Sequence, residues 1–118
     1  MTRKTDCLVA GIACVDLILQ PIPLDRPLGN ERDFHLSPIQ AVTGGSVPNC
    51  AIAMSRLGLN VGALTILGDD LWGQLIRNRL SQERVDCTCV IDQNDIATSA
   101  TAVLIDEAGE HAFAYDPD

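Results

Sequence analysis

One carboxylate stands alone in an apolar run. Asp16 is the only charged residue between Cys7 and Leu19 of "CLVAGIACVDLIL", and an ionised carboxylate there is costly unless hydrogen-bond donors reach it. Either it ends its strand, facing solvent or capping a turn, or it lies where open α/β sheets bind ligands, at the end of a buried strand. In the second case it would accept hydrogen bonds from a polyhydroxylated substrate. A second group lies in "AVTGGSVPNCAIAMSRLG", Ala41 to Gly58. Gly44 and Gly45 permit close backbone approach, Asn49 offers both a donor and an acceptor, and helix-start N–H groups point the same way. Together these can line a pocket for hydroxyls or an anion. No GxxxxGK[ST] and no GxGxxG occurs, which argues against a P-loop and a dinucleotide fingerprint.

The other reactive residues read as structural. His35 and His111 are single histidines without ligand spacing and are expected on the surface. Asp69-Asp70 reads as a helix cap, Asp106-Glu107 as a solvated turn and Trp72 as packing; nothing completes a metal site around them. The five cysteines are odd in number, and no CxxC occurs. Cys87 and Cys89 are too close for easy bridging and lack histidine neighbours. Cys7, Cys14 and Cys50 sit in apolar surroundings and read as small buried hydrophobes. Reduced thiols favour the cytoplasm.

These residues need elements to position them. "DCLVAGIACVDLILQPI" is near-continuously apolar and predicts a strand buried on both faces of a parallel sheet, interrupted at Gly11. Pro21, Pro23, Pro27 and Gly29 make an irregular connection, and "NERDFHLSPIQAV" reads as a polar ribbon appended to the main sheet. Val47, Cys50, Ala51, Met54 and Leu57 follow helical spacing, with Ser46 as N-cap and Gly58 as stop. "NVGALTILG" is a second buried strand. Asp69 or Asp70 caps a helix carrying Leu71, Leu75, Ile76 and Leu80 on one side. "VDCTCVI" and "TSATAVLID" are short strands, and "DEAGE" turns on Gly109 into "HAFAY". The order is α/β, and parallel strands joined by helices are its usual result. "AYDPD" follows a strand without a closing helix, as expected of the first part of a larger α/β domain.

With 118 residues, 47% of them hydrophobic, the chain has material for one domain with a real core. A net charge of −8 offers nothing to offset phosphate repulsion and argues against nucleic-acid binding. It leaves room for one small phosphorylated ligand. Arg3 and Lys4 precede an apolar run that is too short for a signal peptide's hydrophobic region or a membrane span and is bracketed by Asp6 and Asp16.

"GGSVPNCAIAMSRLG" resembles the N-terminal signature of the ribokinase-like (PfkB) carbohydrate kinases: a glycine pair, then Asn, then a small-residue helix ending in Leu-Gly. "VAGIACVDLI" resembles the family's first strand, "LGDDLWGQLIRNRLSQERVD" its Gly-Asp-Asp-x-x-Gly helix segment, and "TSATAVLIDEAGEHAF" its Thr-rich strand and Gly-Glu hairpin. The resemblance implies the N-terminal part of a three-layer α/β sandwich with a small β-ribbon lid at about residues 24–43. It implies transfer of the γ-phosphoryl group of ATP, with Mg2+, to a hydroxyl of a sugar or nucleoside. Asp16, Gly44, Gly45 and Asn49 match residues that hold the substrate's hydroxyls, and Thr101 lies on a strand that often completes the lid. In several members the lid also pairs two subunits, so a homodimer through the ribbon is implied. Ribokinases proper tend to carry Lys-Gly where this chain has Ser46-Val47, so ribose is not the expected sugar. The family's Gly-Ala-Gly-Asp motif, with its catalytic base and anion hole, has no counterpart between Met1 and Asp118, and neither has the ATP-binding region. The expectation is therefore a substrate-and-lid portion, inactive alone. The competing expectation is a truncated, non-enzymatic sugar- or nucleoside-binding or dimerisation domain.

Overall fold

The computed structural model describes residues 4–29 and 32–116. The parallel pair β1 (Cys7–Ala10) and β4 (Val61–Leu64) starts the body of the molecule, and β5 (Ile66–Gly68) pairs in parallel with β6 (Ile91–Gln93) beside it. Helices α1 (Ser46–Arg56) and α2 (Leu71–Gln82) pack against these strands and each other. The remaining strands form a separate four-stranded sheet in the order β3 (Gln40–Gly44), β2 (Cys14–Leu19), β7 (Ala100–Ile105), β8 (His111–Tyr115). β2 runs antiparallel to β3 and parallel to β7, and β8 returns antiparallel.

The core belongs to the body. Val47 and Ala51 of α1, Val61 and Ala63 of β4, Leu67 of β5, and Ile76 and Leu80 of α2 are fully buried in one cluster that also holds Val15 of β2. Burying one such aliphatic side chain stabilises by about 1.5–3 kcal/mol relative to leaving it in water. Each helix end has a local cause. Gly58 at φ +96 closes α1, its N–H donating to Ser55 O at 3.0 Å. Asp70 caps α2 through Gly73 N–H at 2.8 Å. At the far end of α2, Arg84 takes φ +64, which closes the helix but costs a non-glycine residue about 1 kcal/mol or more.

The chain is elongated, with extents of 60 × 34 × 20 Å. Its radius of gyration is 16.7 Å, against about 13 Å for a compact chain of this length. Its accessible surface of 7927 Å² exceeds the roughly 6,200 Å² expected for a compact monomer of this mass.

Several sequence expectations are corrected. "DCLVAGIACVDLILQPI" is not one strand but two, in different sheets; the chain breaks at 11–13, where Ile12 O accepts Val47 N–H at 2.9 Å. "NVGALTILG" likewise divides into β4 and β5. The ribbon expected at 24–43 contributes only β3; Leu24 to Gly29 and residues 32–39 form no strand, and Asn30 and Glu31 lie outside the described residues. The sheet in that place draws its other strands from β2, β7 and β8. "VDCTCVI" gives an isolated bridge of Asp86 to Gly62 and a turn before β6. Gly45, not Ser46, is the N-cap of α1. Leu71 is 69% exposed, because it opens α2 beyond the reach of the cluster. Cys50 is exposed and Cys7 and Cys14 half-buried; all five cysteines are free thiols. The hairpin is as expected: Gly109 takes φ +88, and Asp106 Oδ1 accepts the N–H groups of Ala108 and Glu110 at 3.0 and 2.9 Å. His35 and His111 are exposed, and Trp72 packs half-buried against the core.

Candidate functional site

The four-stranded sheet carries three of the residues that the sequence singled out, Asp16, Gly44 and Thr101. Asp16 on β2 is in register with Val42 on β3 and Thr101 on β7, and Thr101 is in register with Tyr115 on β8. Residues opposite one another share a face, so Val42, Asp16, Thr101 and Tyr115 form one row across all four strands. This face is opposite to that of Val15, which enters the core. Asp16 is half-buried, and the one hydrogen bond its carboxylate accepts among the described residues is from Cys14 Sγ at 3.6 Å. A thiol is a weak donor, so this carboxylate retains nearly all of its accepting capacity.

Gly44 sits against it. A Cβ at Gly44 would lie within 3 Å of all three carboxyl atoms of Asp16, so only glycine leaves Asp16 its position. Gly45 follows at φ +88, where a Cβ would press on Ile12 O and Ala13 Cα. Here the strand turns into α1, and residues 12–13 and 45–47 lock together. Ile12 N–H donates to Ser46 Oγ at 3.3 Å while Val47 N–H donates to Ile12 O. Pro48 has no N–H, so the helix start has fewer donors to spare than its sequence suggested. Asn49 is exposed in the first turn, with its N–H bonded to Gly45 O at 3.3 Å.

Asp16, Gly44 and Thr101 thus come together on one face, and Gly45 joins them to the helix bearing Asn49. A concavity of about 770 Å³ lies elsewhere. It runs between β3, α1 and α2 and is lined by Asn49, Thr43, Ile52, Gln74 and Asn78, among others, but not by Asp16, Gly44, Gly45 or Thr101. Asn49 is the one expected site residue on its wall. Among the described residues, no group of three or more His, Cys, Asp or Glu could hold a metal ion.

Two residues escaped the sequence reading. Tyr115 closes the row and is 70% exposed; the period-two spacing of His111, Phe113 and Tyr115 was its available signal. Thr98 is buried, accepts Gly68 N–H on Oγ1 at 2.9 Å and donates its backbone N–H to Asp70 Oδ2 at 2.8 Å. Partner residues 28 and 30 positions apart left no local signal for it. Burial pushes the Asp70 carboxyl up, but the N–H groups of Thr98 and Gly73 and the Thr98 hydroxyl outweigh it and hold the group below the usual carboxylate range.

The fold is an α/β body with an appended mixed sheet, and the chain belongs to the pfkB family of carbohydrate kinases, whose model matches residues 4–118. It is 28% identical over 113 residues to the uncharacterized sugar kinase YegV of Escherichia coli, covering 96% of this chain and 34% of that protein. It is 35% identical over 72 residues to the fructokinase of Salmonella typhimurium, covering 61% and 24%. Among solved structures, a microbiome-derived acarbose kinase, Mak1, superimposes with a TM-score of 0.83 at 27% identity, over 98% of this chain and 37% of that one. The fold is also that of the ATP-bound fructokinase from Xylella fastidiosa, with a TM-score of 0.75 at 23% identity, over 97% of this chain and 34% of that one. The chain spans about a third of the length of these relatives, and a quarter in the Salmonella alignment. Among the described residues no helix is long and apolar enough to cross a membrane.

Proposed function

We propose that this chain is the substrate-binding and lid portion of a kinase that moves the γ-phosphoryl group of ATP onto a sugar hydroxyl. Asp16 accepts hydrogen bonds from sugar hydroxyls, Gly44 and Gly45 let the sugar approach the backbone, and Asn49 takes a further hydroxyl. Thr101 borders the sugar beside Asp16. The observation that carries this reading is the Asp16 carboxylate: half-buried, seated on a glycine that admits no side chain, and bonded among the described residues only by a thiol. A carboxylate held in this way is an acceptor awaiting donors, and vicinal hydroxyls supply them in pairs.

In this reading the four-stranded sheet is the lid, and its closure excludes water from the transferred phosphoryl group. The nucleotide, its magnesium and the catalytic base belong to the remaining two-thirds of the family's length, so the chain alone transfers no phosphoryl group. ATP as donor is supported by the nucleotide-bound relative of the same fold, and a cytoplasmic setting by the free thiols. The exposed Phe113 and Tyr115 favour a homodimer through this sheet. Sedimentation of the chain and of a Phe113→Ser, Tyr115→Ser variant tests that; equal masses at all concentrations would sink it.

The test of the site is calorimetry of the chain against fructose, ribose, 2-keto-3-deoxygluconate and adenosine, with Asp16→Ala and Asn49→Ala beside it. Saturable binding of a sugar, lost in both variants, is the expected result. A folded chain that binds none of the four, or binds equally well without Asp16, overturns the assignment.

A further inference from the structure

From the contacts of Asp70 we infer that this residue, acting through Thr98, is a positioning residue of the sugar site: it fixes where β7 leaves the body, so that Thr101 stands opposite Asp16. The inference rests on the proposed sugar-binding role of that row.

Asp70 divides its carboxylate between two elements. Oδ1 accepts Gly73 N–H at 2.8 Å and caps α2, while Oδ2 accepts Thr98 N–H at 2.8 Å, two residues before β7 begins. Thr98 is itself buried, and its Oγ1 accepts Gly68 N–H and donates to Gly68 O at 3.5 Å. The crossing leaves no slack. A Cβ on Gly68 would lie within 3.0 Å of Ile96 O, Asp70 Oδ2 and Thr98 N, and one on Gly73 would meet Gly68 O and Thr98 Oγ1. The end of β5, the start of α2 and the approach to β7 are therefore one clasp.

Just past that clasp the sheet's strands are tied together. Ser99 O accepts Val15 N–H of β2 at 3.0 Å, and Asp116, after β8, accepts Ala100 N–H at 3.1 Å and Ser99 Oγ at 3.2 Å. Thr101 lies three residues beyond Thr98 and pairs with Asp16. Thr98 reaches Thr101 through Ser99 and Ala100, whose own bonds to Val15 and Asp116 tie β7 to β2 and to the end of β8, so the place of Thr98 sets where this tied segment enters the sheet. The sheet's other junction with the body, at Ile12 and Gly45, fixes Asp16 and Gly44. Asp70 thus holds one half of the row while the strand–helix turn holds the other.

Asp70→Asn separates the two roles. Asparagine caps a helix as well as aspartate does, but its amide NH2 faces the Thr98 N–H as donor against donor. The 118-residue chain, its Asp70→Asn, Thr98→Val and Thr98→Ser variants are compared by amide hydrogen exchange and by calorimetry with the sugar that the wild-type chain binds in the four-ligand screen. In Asp70→Asn we expect exchange at Thr101 to Val103 to quicken by about tenfold or more, as loss of a charge-assisted hydrogen bond implies, with α1 and β4 unchanged and sugar affinity reduced to a similar degree. Thr98→Val repeats the effect, and Thr98→Ser, which keeps the hydroxyl, restores both readouts. Exchange that quickens equally across α1, β4 and β7 marks general destabilisation and overturns the inference. So does unchanged sugar affinity in Asp70→Asn, which leaves the reading of the Asp16 site intact. A wild-type chain that binds no sugar removes that reading and this inference with it.

Discussion

The body and the four-stranded sheet are held by different forces. In the body, Ile76, Leu80, Leu67 and Ala51 have essentially no exposure, and the two helices cover one side of the strands. In the sheet, most of β3 and β8 faces water, and Val15 and Val103 are its buried apolar side chains. What unites the sheet is backbone pairing and a few specific anchors at its junctions with the body. Segments with few buried apolar contacts open locally at lower free energy than the core. The half of the molecule that carries Asp16 and Thr101 is thus the softer half, as the proposed lid role requires.

The largest effect that would sharpen this contrast is Leu80→Ala, which should destabilise the chain by about 3 kcal/mol through lost burial and the cavity left behind. Urea unfolding followed by helix circular dichroism checks it; a loss under about 1 kcal/mol would mean the body is not the stable half. Next is Gly44→Ala. The new Cβ displaces the Asp16 carboxylate, so sugar affinity should fall by about tenfold or more while the urea midpoint barely moves. A midpoint shift as large as that of Leu80→Ala would break the distinction, making Gly44 a body residue in energetic terms.

Acid should separate the halves by a smaller margin. The carboxyls of Asp70, Glu83 and Asp86 are all held below their ordinary values: Asp70 by the N–H donors around it, Glu83 by Arg56 and then Arg79, Asp86 by the Thr88 hydroxyl and N–H. Depressed folded-state values contribute stability that is fully present above the unfolded values of about 4 and is lost as pH falls through the folded ones. Exchange mapped at pH 5 and pH 3 should show the start of β7, held by Asp70, loosening while the body, where Glu83 and Asp86 titrate against a packed core, keeps the protection of Leu67 and Ile76. Simultaneous loosening would count against separate halves. The smallest effect is Arg84→Gly. It relieves the φ +64 strain and should raise the urea midpoint by the equivalent of up to about 1 kcal/mol, with exchange in the four-stranded sheet unchanged.

Several features with a local cause were legible in the sequence, although the N-cap of α1, expected at Ser46, lies at Gly45. The spacing of Val47, Ala51 and Met54, the stop at Gly58, the cap at Asp70 and the turn at Gly109 each depend on neighbours within a few residues. Asp16 stood out because a charge in an apolar run is costly wherever that run folds. What failed has a tertiary cause. Nothing within residues 7–19 shows that Ile12 will bond to Val47 and so divide one apolar run into strands of two sheets. Leu71 fits the helical stripe, yet it stands mostly exposed among the described residues. The contact of Gly44 with Asp16 and that of Thr98 with Asp70 each span 28 residues, and in both cases the sequence offers ordinary turn-formers and a threonine among threonines.

The row of Val42, Asp16, Thr101 and Tyr115 carries a consequence of its own. Side chains alternate along a strand, so a slip of β7 by one residue would turn Thr101 to the other face and set Ala100 or Ala102 against Asp16. Such an arrangement has no intermediate settings. It changes by replacing a member of the row in place, one strand at a time, and four separate stretches of sequence each hold a vote on what the proposed site would recognise.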